Sequence, residues 1–444
     1  MNGLRRGLRP IPLLATMYVL LCGGPFGTEE IVPSAGPGLA ILVMTLMAFL
    51  WAAPYALIVA ELVTKIPVQG GIWQWFRASL GPFWSFQLTY LDWLTWVLDA
   101  ALYPPLVAAY LLTEVSRHLD LDLGHGFNWS ICLVVIWACT WLNIRGVKEV
   151  GRLSLWMAVA QILPVLAIIV LGWEHLRLSN LSPWIPEGES FRTALHAALV
   201  WALWNYAGYG ALAAASEEIV EPERSYPKVL AGFLPLSMVV YILPLVVALG
   251  VTPDWTAWST GHLDNVAVAL GGAVLGGFVV LAAQVSNIGL FNSEQLIISR
   301  VPYAMAREGV LPPWLTRLHP RYRTPTVILV LQGVAYSVLT YLFDFRDLLE
   351  FSTWLALPTY ILTFVTPIIL RWRRPELRGS FEIPGGWPVL IVTAAVPTLI
   401  ALYVLLTVAA THLAWGLGFI ALGPVIYALA GADARRRARR HDGV

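Results

Sequence analysis

The chain reads as a succession of apolar runs, each the length of a membrane-crossing helix and parted from the next by a short polar or Gly/Pro-rich link. A helix needs about 20 apolar residues to cross a bilayer. Twelve runs meet that need: 11–34, 39–64, 82–112, 129–144, 153–172, 193–216, 229–251, 267–299, 325–342, 347–370, 388–408 and 411–431. The pattern predicts an all-α integral membrane protein of twelve transmembrane helices rather than a barrel. Two of the runs are interrupted. The first contains "LLCGGPFGTEEIV", with Gly23, Gly24, Pro25 and Gly27; the sixth contains "LHAALVWALWNYAGYGALAAASEE", with Gly208 and Gly210 near its middle. Breaks at matching places five spans apart predict two five-helix repeats of opposite topology with a binding site between them. The repeats would be 1–175 and 176–372, followed by two further helices and a basic tail over 373–444.

Composition agrees. Hydrophobic residues make up 58% and charged residues 12% of the 444, at a mean hydropathy of +0.69, too little polar surface for a water-soluble globule of this size. The net charge of +1 speaks against a nucleic-acid partner. Charge placement is more telling. Of 28 basic residues only Arg117, Arg177, Arg192 and Arg346 fall on one set of loops, so the positive-inside rule puts both termini in the cytoplasm of a multi-pass cell-membrane protein. The cluster Arg435–Arg440 reads as part of that topology signal or as a lipid-headgroup contact. Cys22, Cys132 and Cys139 lie scattered in apolar runs and read as packing residues. The first run lacks a cleavage site and is expected to be retained.

An unwound segment inside a membrane needs water or a ligand for its bare peptide groups. The helix restarting after Gly27 would offer N–H groups to a carboxylate, and the helix ends before each break would offer carbonyls to an ammonium. Acids buried in apolar runs are costly and mark candidate sites: Glu29, Glu30, Glu61, Asp92, Asp99 and Glu294. Asp92 and Asp99, seven apart, share one helix face with Trp96 and Tyr103. Each acid has a structural alternative, a capping role for Glu29 and Glu30, an interhelical hydrogen bond for Asp92, Asp99 and Glu294, and an ion pair with a basic loop residue for Glu61.

The segments "GGPFGTEEIVPSAGP", "PYALIVAELVTKIPVQGG", "LDAALYP", "SEEIVEPERSYPK" and "SRVPYAMAREGVLPPWL" resemble, over nearly the whole chain, the amino acid–polyamine–organocation (APC) superfamily of secondary transporters. The first and third are most similar to its branch of polyamine/proton symporters and their amino acid-transporting relatives. The resemblance implies the inverted repeat of leucine-transporter-like folds, with broken helices 1 and 6. It implies an aromatic gate at Trp204 and a pocket-lining role for Glu294. Together with the breaks and the buried acids, it sets the expected substrate contacts at Gly23, Gly24, Pro25, Phe26, Gly27, Glu29, Asp99, Tyr103, Trp204, Ala207, Gly208, Tyr209 and Glu294.

Two departures matter. The polyamine branch often has acids where this chain has Tyr55 and Gly210, and some proton-coupled members have a lysine where this chain has Gln161. The expected function is therefore an amino acid permease working by alternating access, with a coupling proton on Glu294, Asp99 or Glu30, and with a sodium ion on backbone carbonyls and Ser286 left open. A polyamine or diamine symporter, an exchanger and a non-transporting sensor are the alternatives. No metal-ligand cluster, nucleophile elbow or phosphate loop is present, so neither a cofactor nor enzyme chemistry is expected.

Overall fold

The structure, a computed structural model, describes residues 10–68, 71–119, 125–145, 150–211, 213, 219–407 and 416–429. The Arg435–Arg440 cluster, both termini and Ser216–Glu218 of the "SEEIVEPERSYPK" segment lie outside them.

Apolar sequence far longer than any strand, with almost no alternation, folds as helix; among the described residues no strand occurs. The helices are α1 (Pro10–Leu21), α2 (Ile31–Ala35), α3 (Pro37–Met47), α4 (Ala53–Lys65), α5 (Ile72–Leu80), α6 (Pro82–Ala100), α7 (Tyr103–Leu119) and α8 (His125–Arg145). They continue as α9 (Val150–Leu171), α10 (Phe191–Asn205), α11 (Pro222–Val251), α12 (His262–Arg307), α13 (Thr326–Leu342), α14 (Phe345–Arg373), α15 (Gly386–Thr407) and α16 (Gly416–Leu429). A π-helical turn over Ala48–Ala52 joins α3 to α4 as one rod.

Seven described segments are long and apolar enough to cross a bilayer: Pro37–Lys65, Pro82–Leu112, Gly126–Arg145, Pro222–Val251, His262–Arg307, Phe345–Arg373 and Gly386–Thr407. Pro10–Leu21, Leu155–Leu171, Thr326–Leu342 and Gly416–Leu429 are shorter apolar helices. The outward faces carry large apolar side chains in bulk, among them Leu406 at 79% and Val274 at 72% exposure. In water such a surface would aggregate; in a bilayer it costs nothing.

Three elements depart from the hydrophobic pattern. The run at 82–112 is not one helix, because a turn at Ala101–Leu102 parts α6 from α7. Pro104 and Pro105 follow, each lacking the N–H that an unbroken helix would use there. The amphipathic α5, too short and polar to span, lies between the second and third runs. The first helix restarts after its break only as a 3-10 turn, Thr28–Glu30, followed by the five residues of α2.

Packing centres on α1, which touches α9, α11 and α12, and on α12, which also meets α6, α7, α8 and α13. The helix α10 rests on α2, α3 and α14, and α6 packs along α14. Most of the buried apolar side chains form one continuous cluster, with the interrupted segments inside it.

Candidate functional site

The end of α1 is closed by two N–H groups, of Cys22 at 2.9 Å and Gly23 at 2.8 Å, on the single carbonyl of Tyr18. The chain then turns through Gly23 at φ +62° and Gly24 at φ +108°, angles that side chains with a Cβ rarely adopt. Space is equally strict, since a Cβ on Gly23 would lie 2.5 Å from both the Ser286 hydroxyl and Leu290. Carbonyls freed by the break are not left bare. Tyr241 donates to those of Leu21 and Cys22 at 3.4 and 3.5 Å, and the Ser286 hydroxyl donates to that of Gly23.

The second interruption follows α10. Its carbonyls are partly taken as well, that of Tyr206 by the Trp51 indole N–H at 3.2 Å and that of Tyr209 by the Tyr226 hydroxyl at 2.7 Å. At Gly208, φ is +80° and a Cβ would meet Leu21 at 2.8 Å and Trp96 at 3.1 Å. The two broken helices and α6 thus converge on this residue. The third interruption places Asp99 in the last turn of α6, where its carbonyl accepts the Leu102 N–H at 2.9 Å.

Two cavities occupy the space between the breaks. The central one, about 590 Å³, is walled by both interruptions and by α6, α11, α12 and α14. The other, about 700 Å³, extends from it toward α5. Leu20, Trp96, Glu294 and Tyr360 line both and form the partition. Neither lining contains a lysine, arginine or histidine, whereas Asp92, Asp99 and Glu294 all contribute.

In the central cavity each oxygen of Asp99 has one donor. The Trp204 indole N–H reaches Oδ1 at 2.8 Å and the Tyr103 hydroxyl reaches Oδ2 at 3.1 Å. Glu294 differs. It is 1% exposed, and its Oε2 has no hydrogen-bond partner among the described residues. Its carboxyl group lines the same cavity as that of Asp99. A buried carboxyl oxygen without a donor is costly unless a ligand, a proton or water completes it. Trp204 packs edge-on against Phe345 of α14 at 5.8 Å, so the ring that holds Asp99 both lines the cavity and is braced by α14.

Of the residues expected at the site, Gly24, Phe26, Asp99, Tyr103, Trp204, Ala207, Gly208 and Glu294 line the central cavity. Gly23, Pro25, Gly27, Glu29 and Tyr209 do not. Gly23 and Pro25 shape the turn, the Pro25 carbonyl accepting from Thr28. Gly27 packs against Leu106, and Tyr209 against Tyr55 and Phe233.

The restart of the first helix departs most from expectation. The Gly27 N–H foreseen for a substrate carboxylate is occupied by Glu29, whose carboxylate accepts from Gly27 at 2.9 Å, from Tyr110 at 2.6 Å and from the Gly261 N–H at 2.6 Å. Glu30 accepts from the Thr260 N–H at 3.1 Å and from its hydroxyl. Both acids therefore clamp the segment before α12 and face away from the cavity.

The sequence reading passed over Thr28, Thr95, Asn205, Tyr241 and Tyr360 as lining residues. Only Asn205, a polar residue one turn past Trp201 in an apolar run, carried a local signal. Glu61, fully buried, is paired to Arg371 of α14 and to Lys65 of its own helix.

A family model described as amino acid permease matches residues 14–432. The chain is 32% identical to a probable polyamine transporter of Arabidopsis thaliana over 89% of its own length and 78% of the relative's. It is 31% identical to the polyamine transporter PUT1 of Oryza sativa subsp. japonica over 95% of the chain and 78% of the relative. With the branched-chain amino acid permease BcaP of Bacillus subtilis (strain 168) it shares 26% identity over 89% of the chain and 86% of the relative.

Proposed function

The chain belongs to the amino acid permease family, and we propose that it is a secondary transporter whose substrate is a cationic amine rather than a zwitterionic amino acid. The observation that carries this reading is that every charged residue lining the two cavities is an acid, with the spare oxygen of Glu294 at their junction. An ammonium supplies the missing donors, and a carboxylate–ammonium contact at 4 Å is worth about 4 kcal/mol at an effective dielectric of 20. An α-amino acid needs donors for its carboxylate as well. At the helix restart the Gly27 N–H is already engaged by Glu29 and the Thr28 N–H by the Pro25 carbonyl. Relatives named as polyamine transporters point the same way.

The architecture proposed with it has twelve spans, two inverted repeats over 1–175 and 176–372, two further helices over 373–444, and both termini on the cytoplasmic side of the cell membrane. The substrate sits between the breaks, Trp204 covers it, and rocking of the repeats exposes it to either side. The two acids of this cavity, Asp99 and Glu294, divide the work, one pairing with the amine and the other carrying the coupling proton. With an ammonium on one, the proton stays on the other, and cation and proton cross together.

Competition in proteoliposomes tests this. Uptake of labelled putrescine under an imposed proton gradient is inhibited by diamines and triamines and left intact by neutral amino acids; Asp99→Asn and Glu294→Gln lose uptake while keeping a cooperative thermal melt. Inhibition by neutral amino acids without inhibition by amines overturns the proposal and favours the amino acid permease reading.

A further inference from the structure

The cavity toward α5 contains a carboxylate, Asp92, for which the central site has no use. Its surroundings suit a cation. Trp73, Trp93, Trp96, Tyr55 and Tyr360 contribute aromatic walls, and Trp96 stands one helical turn from Asp92 in the same lining. Ring faces attract ammonium groups, with gains of about 2 kcal/mol or more where water is excluded.

A second observation is independent of the acid. Thr89, 4% exposed and one turn before Asp92 on the same helix, lines this cavity, and its hydroxyl has no hydrogen-bond partner among the described residues. The indole N–H of Trp93 is likewise buried and unpartnered. Unsatisfied polar groups beside a half-buried carboxylate, in a cavity without a basic residue, describe a place where a polar ligand with hydrogen-bonding capacity completes the protein.

Spacing says which ligand. Seven residues of helix part Asp92 from Asp99, roughly 10 Å along one face at 1.5 Å per residue. Glu294 belongs to both cavities and lies at the partition between them. An extended chain advances about 1.25 Å per bond for C–C bonds near 1.5 Å, so the terminal nitrogens of a linear triamine with three- and four-carbon spacers stand roughly 11 Å apart. A four-carbon diamine spans only about 6 Å by the same measure.

We propose that Asp92, with the aromatic walls of the α5-side cavity, is a second ammonium subsite that selects long linear polyamines. One terminal nitrogen of the triamine sits in the central cavity on Asp99, Glu294 keeps the coupling proton, and the far terminus rests on Asp92 among the indoles. The aliphatic spacers pass Leu20 and Trp96 at the partition. This rests on the reading of the central site as an amine site.

The test compares inhibition constants of spermidine and putrescine for wild type and for Asp92→Asn and Asp92→Glu in proteoliposomes. Wild type prefers spermidine, and Asp92→Asn lowers the spermidine-over-putrescine preference about tenfold, the effect of one charge-assisted hydrogen bond. Asp92→Glu, which keeps the charge, restores most of it. Equal affinity of wild type for the two amines overturns the subsite, as does an unchanged preference in a folded Asp92→Asn protein. Should Asp92→Asn fail to fold, the wild-type comparison alone decides. If wild type binds neither amine, it is the function reading that falls, which separates the two failures.

Discussion

Removing the charge of Glu61 should destabilise the protein more than removing its principal partner. Glu61 is fully buried, and its carboxylate accepts from Arg371 Nε at 2.8 Å and Nη2 at 2.6 Å and from the Ile383 N–H at 2.9 Å, with Lys65 Nζ at 3.4 Å. These contacts fasten the α14–α15 connection onto the end of α4. In Glu61→Gln the cations of Arg371 and Lys65 remain, exposed by only 12% and 2%, with Glu382 as their remaining carboxylate partner. Stranding charge in this way costs about 3–5 kcal/mol. Arg371→Met leaves Glu61 with Lys65 and the Ile383 N–H, so about half that loss is expected from the charge-assisted bonds removed. Unfolding in mixed micelles by SDS titration, followed by tryptophan fluorescence, measures both variants and the double one. The double variant should lose less than the sum. A Glu61→Gln protein as stable as wild type, or one more stable than Arg371→Met, refutes the reasoning. The pH dependence has a sign too. Lys65 holds the Glu382 carboxyl below its ordinary 4.5, so its contribution is present above that pH and fades as acid takes the pH through the lowered value. The acid slope of the melt should shrink in Glu382→Gln, though modestly, because the side chain is 45% exposed.

Two further outcomes follow from the site. Gly208→Ala forces a Cβ to 2.8 Å from Leu21 at a φ of +80°, roughly 1–2 kcal/mol of backbone strain, and should lower the melting temperature and amine affinity together; wild-type values for both would contradict the convergence of the breaks at this residue. Glu29→Gln replaces one acceptor oxygen by a donor facing N–H groups, so stability should fall by about 1–3 kcal/mol while the preference of amines over amino acids in the uptake assay stays as it was. A changed preference would place Glu29 against the substrate.

Glycine is where the sequence spoke most directly. The left-handed angles at Gly23, Gly24, Gly27 and Gly208 are ones that other residues rarely adopt, so the breaks are written locally. An acid in an apolar run is equally conspicuous, which is why Asp99 and Glu294 stood out. What an acid does depends on partners far along the chain. Glu29 meets Tyr110 and the Gly261 backbone, and a backbone N–H leaves no mark in a sequence. The Trp204–Asp99 bond joins residues 105 apart, so aromatic spacing could suggest a gate but could not show that the same ring anchors a carboxylate. The turn at Ala101–Leu102 was legible in principle from Pro104 and Pro105, but the continuous hydrophobicity of the run masked it. Position by position along the chain, Tyr55 and Gly210 read as lost countercharges. In space they line the same cavity as Asp92, which reaches it from another helix.

The buried acids sort themselves by how completely the protein supplies donors to them. Glu61 and Glu29 have three or more each, and Glu30 has two from one residue. Both oxygens of Glu61 and of Glu29 are engaged and their positions fixed, which makes these two struts, while Glu30 is held through Oε1. Asp99 has one donor per oxygen and keeps an acceptor position on each, since a carboxylate oxygen takes two. Glu294 retains an oxygen with none. A carboxyl group responds to an arriving cation only through acceptor sites the fold has left open, so the order of increasing vacancy, from Glu61 and Glu29 through Asp99 to Glu294, is also the order of increasing capacity to bind. That order, rather than burial alone, separates the proposed substrate site from the scaffold that holds it.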